Sequence, residues 1–128
     1  MKTIEVVAAI IEHNNKIFIT RRGYGEFENM WEFPGGKIEA GETREGALIR
    51  EIEEELSITI SVDQFVTTVD YDYPNFHLTM HCFLCTQTEG TLTLNEHNDS
   101  KWIHKSELNL LNWLPADLDI LESLKKLL

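Results

Sequence analysis

The sequence predicts an α+β fold, an α/β/α sandwich around a mixed sheet, and three observations carry that reading. β-branched or alternating runs recur along the chain, one amphipathic helical pattern divides them, and a second helical pattern closes the sequence. The resulting order, β-β-loop-α-β-β-β-α, belongs to a sheet covered by helices.

The opening run TIEVVAAIIE is β-branched and nearly continuous, as a largely buried strand is. His13-Asn14-Asn15 supplies a turn, after which KIFITRR alternates, so the two segments form a hairpin. The stretch GYGEFENMWEFPGGKIEAGE has the Gly, Pro and Asn of an irregular loop, broken by an apolar MWEF that docks on the sheet. Thr43 is a helix N-cap, and the helix formers of GALIREIEEEL follow it. ITISVDQFVTTVDYDYP, FHLTMHCFLCTQ and KWIH read as strands, with a turn at TEGTLT. After Trp113-Leu114-Pro115, the segment ADLDILESLKKLL has apolar residues at helical spacing and closing lysines.

A chain of 128 residues with 42% apolar content is expected to form a single domain over residues 1–128, with neither linker nor repeat. The formal charge of −11, with basic residues scattered rather than segregated, argues against a polymeric nucleic acid as partner. A phosphate compound is still compatible if divalent cations stand between it and the carboxylates. The longest apolar run, Val6 to Ile11, is too short to span a bilayer and lacks the pattern of a signal peptide, so the expected location is cytosolic and away from membranes.

Cys82 and Cys85 form a C-x-x-C, but on a strand residues three apart face opposite sides, so the thiols are expected to be structural rather than zinc ligands. His77 and His81 share one strand face, and structural histidines are the expectation there as well.

Negative charge is concentrated between Gly35 and Ile58, where seven of the chain's 22 acidic residues accompany four glycines. On a helical wheel Leu48, Ile49, Ile52 and Leu56 form the packing stripe, and Glu51, Glu54 and Glu55 fan out beside it with Ala47 leaving space among them. A solvated acidic face is one explanation of such a fan. The Gly-rich loop just before it, with Glu42 able to fold back onto the same face, favours a hard-cation site, because Mg²⁺ combines a few carboxylates with waters and substrate phosphates.

Gly36, Glu42, Arg50, Glu51, Ile52, Glu54, Glu55 and Ile58 stand at the spacing G-x5-E-x7-R-E-U-x-E-E-x-G-U, where U is aliphatic. This pattern resembles the Nudix box, with Ser57 in place of the last glycine. A left-handed residue at that helix exit disfavours serine by roughly 1 kcal/mol relative to glycine. WEFPGGKIEAGE, the opening strand, the paired arginines after KIFIT and the late LPADLDILESL extend the resemblance over nearly the whole chain, toward the MutT-type nucleoside triphosphate pyrophosphohydrolases. The resemblance implies the Nudix fold and hydrolysis of a (deoxy)nucleoside triphosphate to monophosphate and pyrophosphate. The implied substrate is a small-molecule nucleotide of the (d)CTP type or 8-oxo-(d)GTP, with no polymeric nucleic acid and no membrane as partner, in a monomer or homodimer.

The same resemblance implies roles. Glu51, Glu54 and Glu55 would bind Mg²⁺ or Mn²⁺ together with the Gly36 carbonyl, and Arg50 would tie the loop to the helix through Glu42. Glu54 or Glu55 would be the general base, and Glu96, from a later loop, a further ligand or base. Arg22 and Lys37 would contact phosphate, while Asp117 would read the base with help from Asn75 and Phe76. Phe76 or Trp31 would stack on the base or serve as core aromatics. Two rival readings are a Nudix-fold nucleotide sensor without turnover, which would be expected to lack box glutamates, and an acidic protein-interaction domain, which leaves the glycine loop and Arg50 unexplained.

Overall fold

A computed structural model describes residues 2–127; Met1 and Leu128, the last residue of the predicted terminal helix, lie outside the described residues. Strands β1 (Lys2–His13) and β2 (Lys16–Arg22) form the predicted hairpin. Asn14 and Asn15 have φ of 50° and 65°, the left-handed pair that a tight hairpin turn requires and asparagine tolerates. The docking MWEF becomes β3 (Trp31–Glu32), and Gly35–Lys37 forms a short β4. Helix α1 (Arg44–Leu56) leads to the long strands β5 (Ile58–Tyr73) and β6 (Phe76–Gly90). β7 (His97–His104), a 3-10 turn at Lys105–Leu110 and α2 (Pro115–Leu127) complete the chain. No helix of the described residues is long and apolar enough to cross a membrane.

The sheet is mixed, in the order β3-β2-β1-β6-β5. β6 runs parallel to β1 from Lys2 to Ile11, while the other edge of β1 pairs antiparallel with β4 at Val6–Ala8 and with β2 at Ile11–His13. β4 and β2 therefore diverge along one edge of β1, and the gap between them opens toward Arg22 and Gly36. Alternation in β1 feeds both sides of the sheet, which explains its unbroken apolar run. Val7, Ala9 and Ile11 pack with Ala47, Leu48, Ile52 and Leu56 of α1. Ala8 and Ile10 pack with Ile120, Leu121 and Leu124 of α2. Cys82 and Cys85 divide between these two cores as free thiols, and burial pushes both up, Cys85 to about 12, so they are inert.

Several details depart from the sequence reading. β6 runs on through Thr88-Glu89-Gly90 and β7 begins at His97, because neighbouring strands supply ladder partners that local propensity does not reveal. Ala47 is fully buried in the α1 core instead of spacing the carboxylates, and Trp31 is 7% exposed, packed in the α2-side core with the Lys101 ammonium 4.7 Å from its ring centroid. β4 consists of Gly-Gly-Lys, which has no strand propensity. It forms because the backbone at Gly35 lies so close to β1 that a Cβ would collide with the Val7 carbonyl oxygen. Gly35→Ala should accordingly lower the unfolding free energy by about 1–3 kcal/mol, as overpacking does; an unshifted urea midpoint would show that β4 is not held this tightly.

Candidate active site

The glycine loop and α1 are joined at one guanidinium. Thr43 caps the helix, its hydroxyl accepting from Gly46 N–H at 3.0 Å. Two turns on, Arg50 donates a fork to Glu42 (Nε to Oε2 2.7 Å, Nη2 to Oε1 2.8 Å) and a third bond to the Lys37 carbonyl at 3.0 Å. Its Nη1 reaches Glu51 Oε1 at 2.9 Å and both oxygens of Glu54 at 3.3 Å. The hydrogen bonds from Arg50, followed by the Glu39 amide, hold the Glu42 carboxyl down at about 2. Loop and helix thus meet as predicted.

The three carboxylates of the fan differ in environment. Glu54 is more than half exposed and lies outside the cleft between β4 and β2, whereas Glu51 and Glu55 line it. Glu51 abuts Gly36 so closely that any side chain there would overlap its carboxylate. Burial raises Glu51 against the pull of Arg50. Glu55 is 6% exposed, and its Oε2 is buried with no hydrogen-bond partner. Burial, then the charges of Glu51, Glu96 and Glu32, push it up to about 9. Among the described residues no three His, Cys, Asp or Glu side chains stand preassembled as a metal-holding group, and Arg50 grips two of the fan from the side.

The end of α1 is held by the segment that carries Glu96. Ser57 adopts the left-handed exit (φ 58°, ψ 32°), with its N–H on the Glu53 carbonyl. The next orphan carbonyls are taken across the chain: Thr93 N–H donates to Leu56, Asn95 N–H to Glu55 and the Asn95 side-chain amide to Glu54. Glu96 follows at once and lines the same cleft as Glu51 and Glu55.

Opposite α1, Arg22 ends β2 and forks onto Glu32 of β3 (Nε 3.1 Å, Nη2 2.9 Å). His97 approaches Glu32 from another side, Nε2 to Oε2 3.7 Å. Burial raises Glu32, but His97 and Arg22 outweigh it, and the net shift is downward. Lys37, exposed on β4, also faces the cleft.

Behind the Arg22–Glu32 pair lies a second, mainly apolar pocket walled by Phe27, Phe33, Tyr73, Phe76 and Leu114, with Asp117 in its lining. Asp117 sits in the first turn of α2 and accepts from Phe33 N–H at 2.8 Å. Burial, then the charge of Glu32, raises it well above the ordinary carboxylate range, which favours its protonated form. Phe76 faces this pocket but Asn75 does not: it is exposed in the β5–β6 turn, away from both cavities. Trp31, packed in the core, lines neither. The sequence reading missed Glu32 and His97. Their only signal was position, Glu32 directly after the apolar Met30-Trp31 and His97 directly after Glu96.

A NUDIX domain model matches residues 1–124. The 8-oxo-dGTP diphosphatase of Escherichia coli (strain K12) is 37% identical over 129 residues, covering 99% of this chain and 100% of that one. The CTP pyrophosphohydrolase of the same organism is 36% identical, covering 96% and 92%. The solution structure of the E. coli ORF135 protein superposes with a TM-score of 0.90 at 36% identity over 99% of this chain and 91% of that one. With the box residues gathered on one loop and helix, these likenesses make the chain a member of the Nudix hydrolase family.

Proposed function

We propose that the chain hydrolyses nucleoside triphosphates to monophosphate and pyrophosphate at the α1 cleft, with the base in the apolar pocket behind Arg22. The observation that carries this is the buried, unpartnered carboxyl oxygen of Glu55 beside Glu51, Gly36 and Glu96. Left unsatisfied, a buried polar group costs about 1–3 kcal/mol, and a hard cation is the partner that a group of carboxyl oxygens accepts. The residues fit such an ion. Glu51, Glu54, Glu55, Glu96 and the Gly36 carbonyl would hold Mg²⁺ or Mn²⁺, which would neutralise triphosphate charge and activate the attacking water. Arg50 competes for Glu51 and Glu54, so it sets how far these two can turn toward the cleft. Arg22 has one edge on Glu32 and the other to offer to phosphate, and Lys37 adds a point charge. Glu54 or Glu55 serves as the base, with Glu96 as a further ligand or base.

For the nucleobase, Asp117 keeps one oxygen on Phe33 N–H, and in its protonated form the other is a hydroxyl that can donate to a base carbonyl, with a lone pair that can accept from an exocyclic amine. That combination serves cytosine and 8-oxoguanine alike, the bases of the nucleotides named in the two relatives above. Phe76 supplies a stacking face.

Turnover should require a divalent cation, and Glu54→Gln and Glu55→Gln should each lower kcat by about 10²–10⁴-fold while circular dichroism stays unchanged; full activity after dialysis against chelator overturns the metal site. The metal-free protein should also show a pH signature. Glu55 is held near 9 against an ordinary 4.5, so the folded chain keeps a proton that the unfolded chain loses, and stability falls as pH rises from about 4.5 through 9. Glu55→Gln should therefore melt higher than the parent at pH 8, with the difference vanishing below pH 4.5; equal melting at pH 8 overturns the raised Glu55. For specificity, phosphorus NMR should show pyrophosphate and not orthophosphate as the primary product. The ranking of kcat/KM for dCTP, 5-methyl-dCTP, dGTP and 8-oxo-dGTP should change in Asp117→Asn, and an unchanged ranking would remove Asp117 from base reading.

A further inference from the structure

Only two buried side-chain polar atoms among the described residues lack a hydrogen-bond partner, and both belong to residues of the α1 cleft: Glu55 Oε2 and His97 Nδ1. The first is absorbed by the reading above; the second is not. The His97 side chain is 7% exposed, a burial that an imidazole seldom accepts with a nitrogen unpaired. Its other nitrogen, Nε2, stands 3.7 Å from Oε2 of Glu32, the same oxygen that receives Arg22 Nε at 3.1 Å. Arg22 and His97 therefore converge on one oxygen of Glu32, and all three line the cleft. The backbone enforces this arrangement: Arg22 pairs with His97 across the β2–β7 ladder, and the register shifts between Arg21 and Arg22, turning Arg22 out of the regular pleat at that point.

We propose that His97 is a positioning residue for the hydrolysis, fixing Glu32 so that the Arg22 guanidinium is presented, at a set angle, at the wall shared by the phosphate cleft and the base pocket. Arg22 and Glu32 line both cavities, so a small rotation of this pair alters both at once. A lone Glu32 carboxylate could rotate with the guanidinium attached; the His97 ring, packed 3.7 Å from the same oxygen, restricts that freedom. Neutral or protonated, the imidazole can donate from Nε2, so the role does not depend on titration. Hydrogen bonds of Asn98 to Arg21 and to Asn29, both 2.8 Å, tie the next residue to the ends of the β2–β3 loop, which keeps His97 in place.

The inference rests on the proposed nucleotide reading and is separable from it. His97→Leu, which fills the space without a donor, should raise KM for the preferred nucleoside triphosphate about tenfold and leave kcat within about twofold. His97→Gln, which restores a donor, should return KM to near the parental value. Isothermal titration of the corresponding monophosphate should show the same order of affinities without turnover. Should His97→Leu not fold, the comparison of His97→Gln with His97→Ala carries the same test. Equal KM in the Gln variant and the donor-less variant, or a loss confined to kcat, overturns the positioning role. A parent with no triphosphate hydrolysis fails the functional reading instead, and the monophosphate titration then decides on His97 alone.

Discussion

The fork between Arg50 and Glu42 is the constraint on which the site depends. A segment with three glycines between residues 35 and 41 has little reason of its own to lie against a helix. Two charge-assisted bonds to Glu42 and one to the Lys37 carbonyl bring Gly36 against Glu51, and β4 then registers on β1. The same cation lies among the like charges Glu39, Glu51 and Glu54, whose repulsion would otherwise work against the helix. Arg50 reaches Glu42, Glu51 and Glu54 but makes no ion pair with the buried Glu55. Glu42, in its fork, is held near 2, while Glu55, on the buried side, is pushed to about 9. Carboxyls whose environments separate their proton affinities this far can take different roles in one site.

What the sequence disclosed and what it withheld divide along contact range. The cap at Thr43 and the Asn14-Asn15 turn rest on local residues, so spacing and propensity reached them, whereas the Arg50–Glu42 pair and the left-handed Ser57 were expected from the resemblance to the Nudix box. β4, the early start of β7 and the Asn95 clamp on the end of α1 exist only because distant segments meet, and none leaves a local pattern. Ala47 illustrates the same limit: a wheel gives its direction, but only the sheet beneath decides that the direction is inward. Asn75 shows the reverse, a residue adjacent to Phe76 in sequence whose hairpin position turns it away from the pocket.

The Arg22–Glu32 pair divides the substrate-facing volume into two unlike halves. On one side stand carboxyls and Lys37; on the other, aromatic rings and a neutral acid. The division follows from the sheet, since β2 and β4 leave opposite ends of one edge of β1 and the space between them has a charged rim and an apolar floor. Asp117 can be neutral because it lies on the apolar side with only one amide to satisfy. Glu32, nearly as buried, is ionised because Arg22 and His97 compensate it. Two largely buried acids are thus pushed in opposite directions on opposite faces of one partition.

The electrostatics of the cleft also restrict what can enter it. Glu32, Glu39, Glu51, Glu55 and Glu96 line it, against Arg22 and Lys37 as the cations, and Arg22 is already forked onto Glu32. Of the neighbouring cations Arg50 is consumed by Glu42, so among the described residues lining the cleft Lys37 is the full positive charge not committed to a carboxylate. A triphosphate brought into this setting alone would meet net repulsion in a partly dry site, where unlike bulk water little screens it. A neutral ligand would leave the Glu55 carboxyl unpaired and the charge gradient along α1 without consequence. On the proposed reading the arrangement becomes favourable when cation and polyanion arrive together, each supplying the charge the other lacks, and that would suit a chain of net charge −11 to a phosphate substrate.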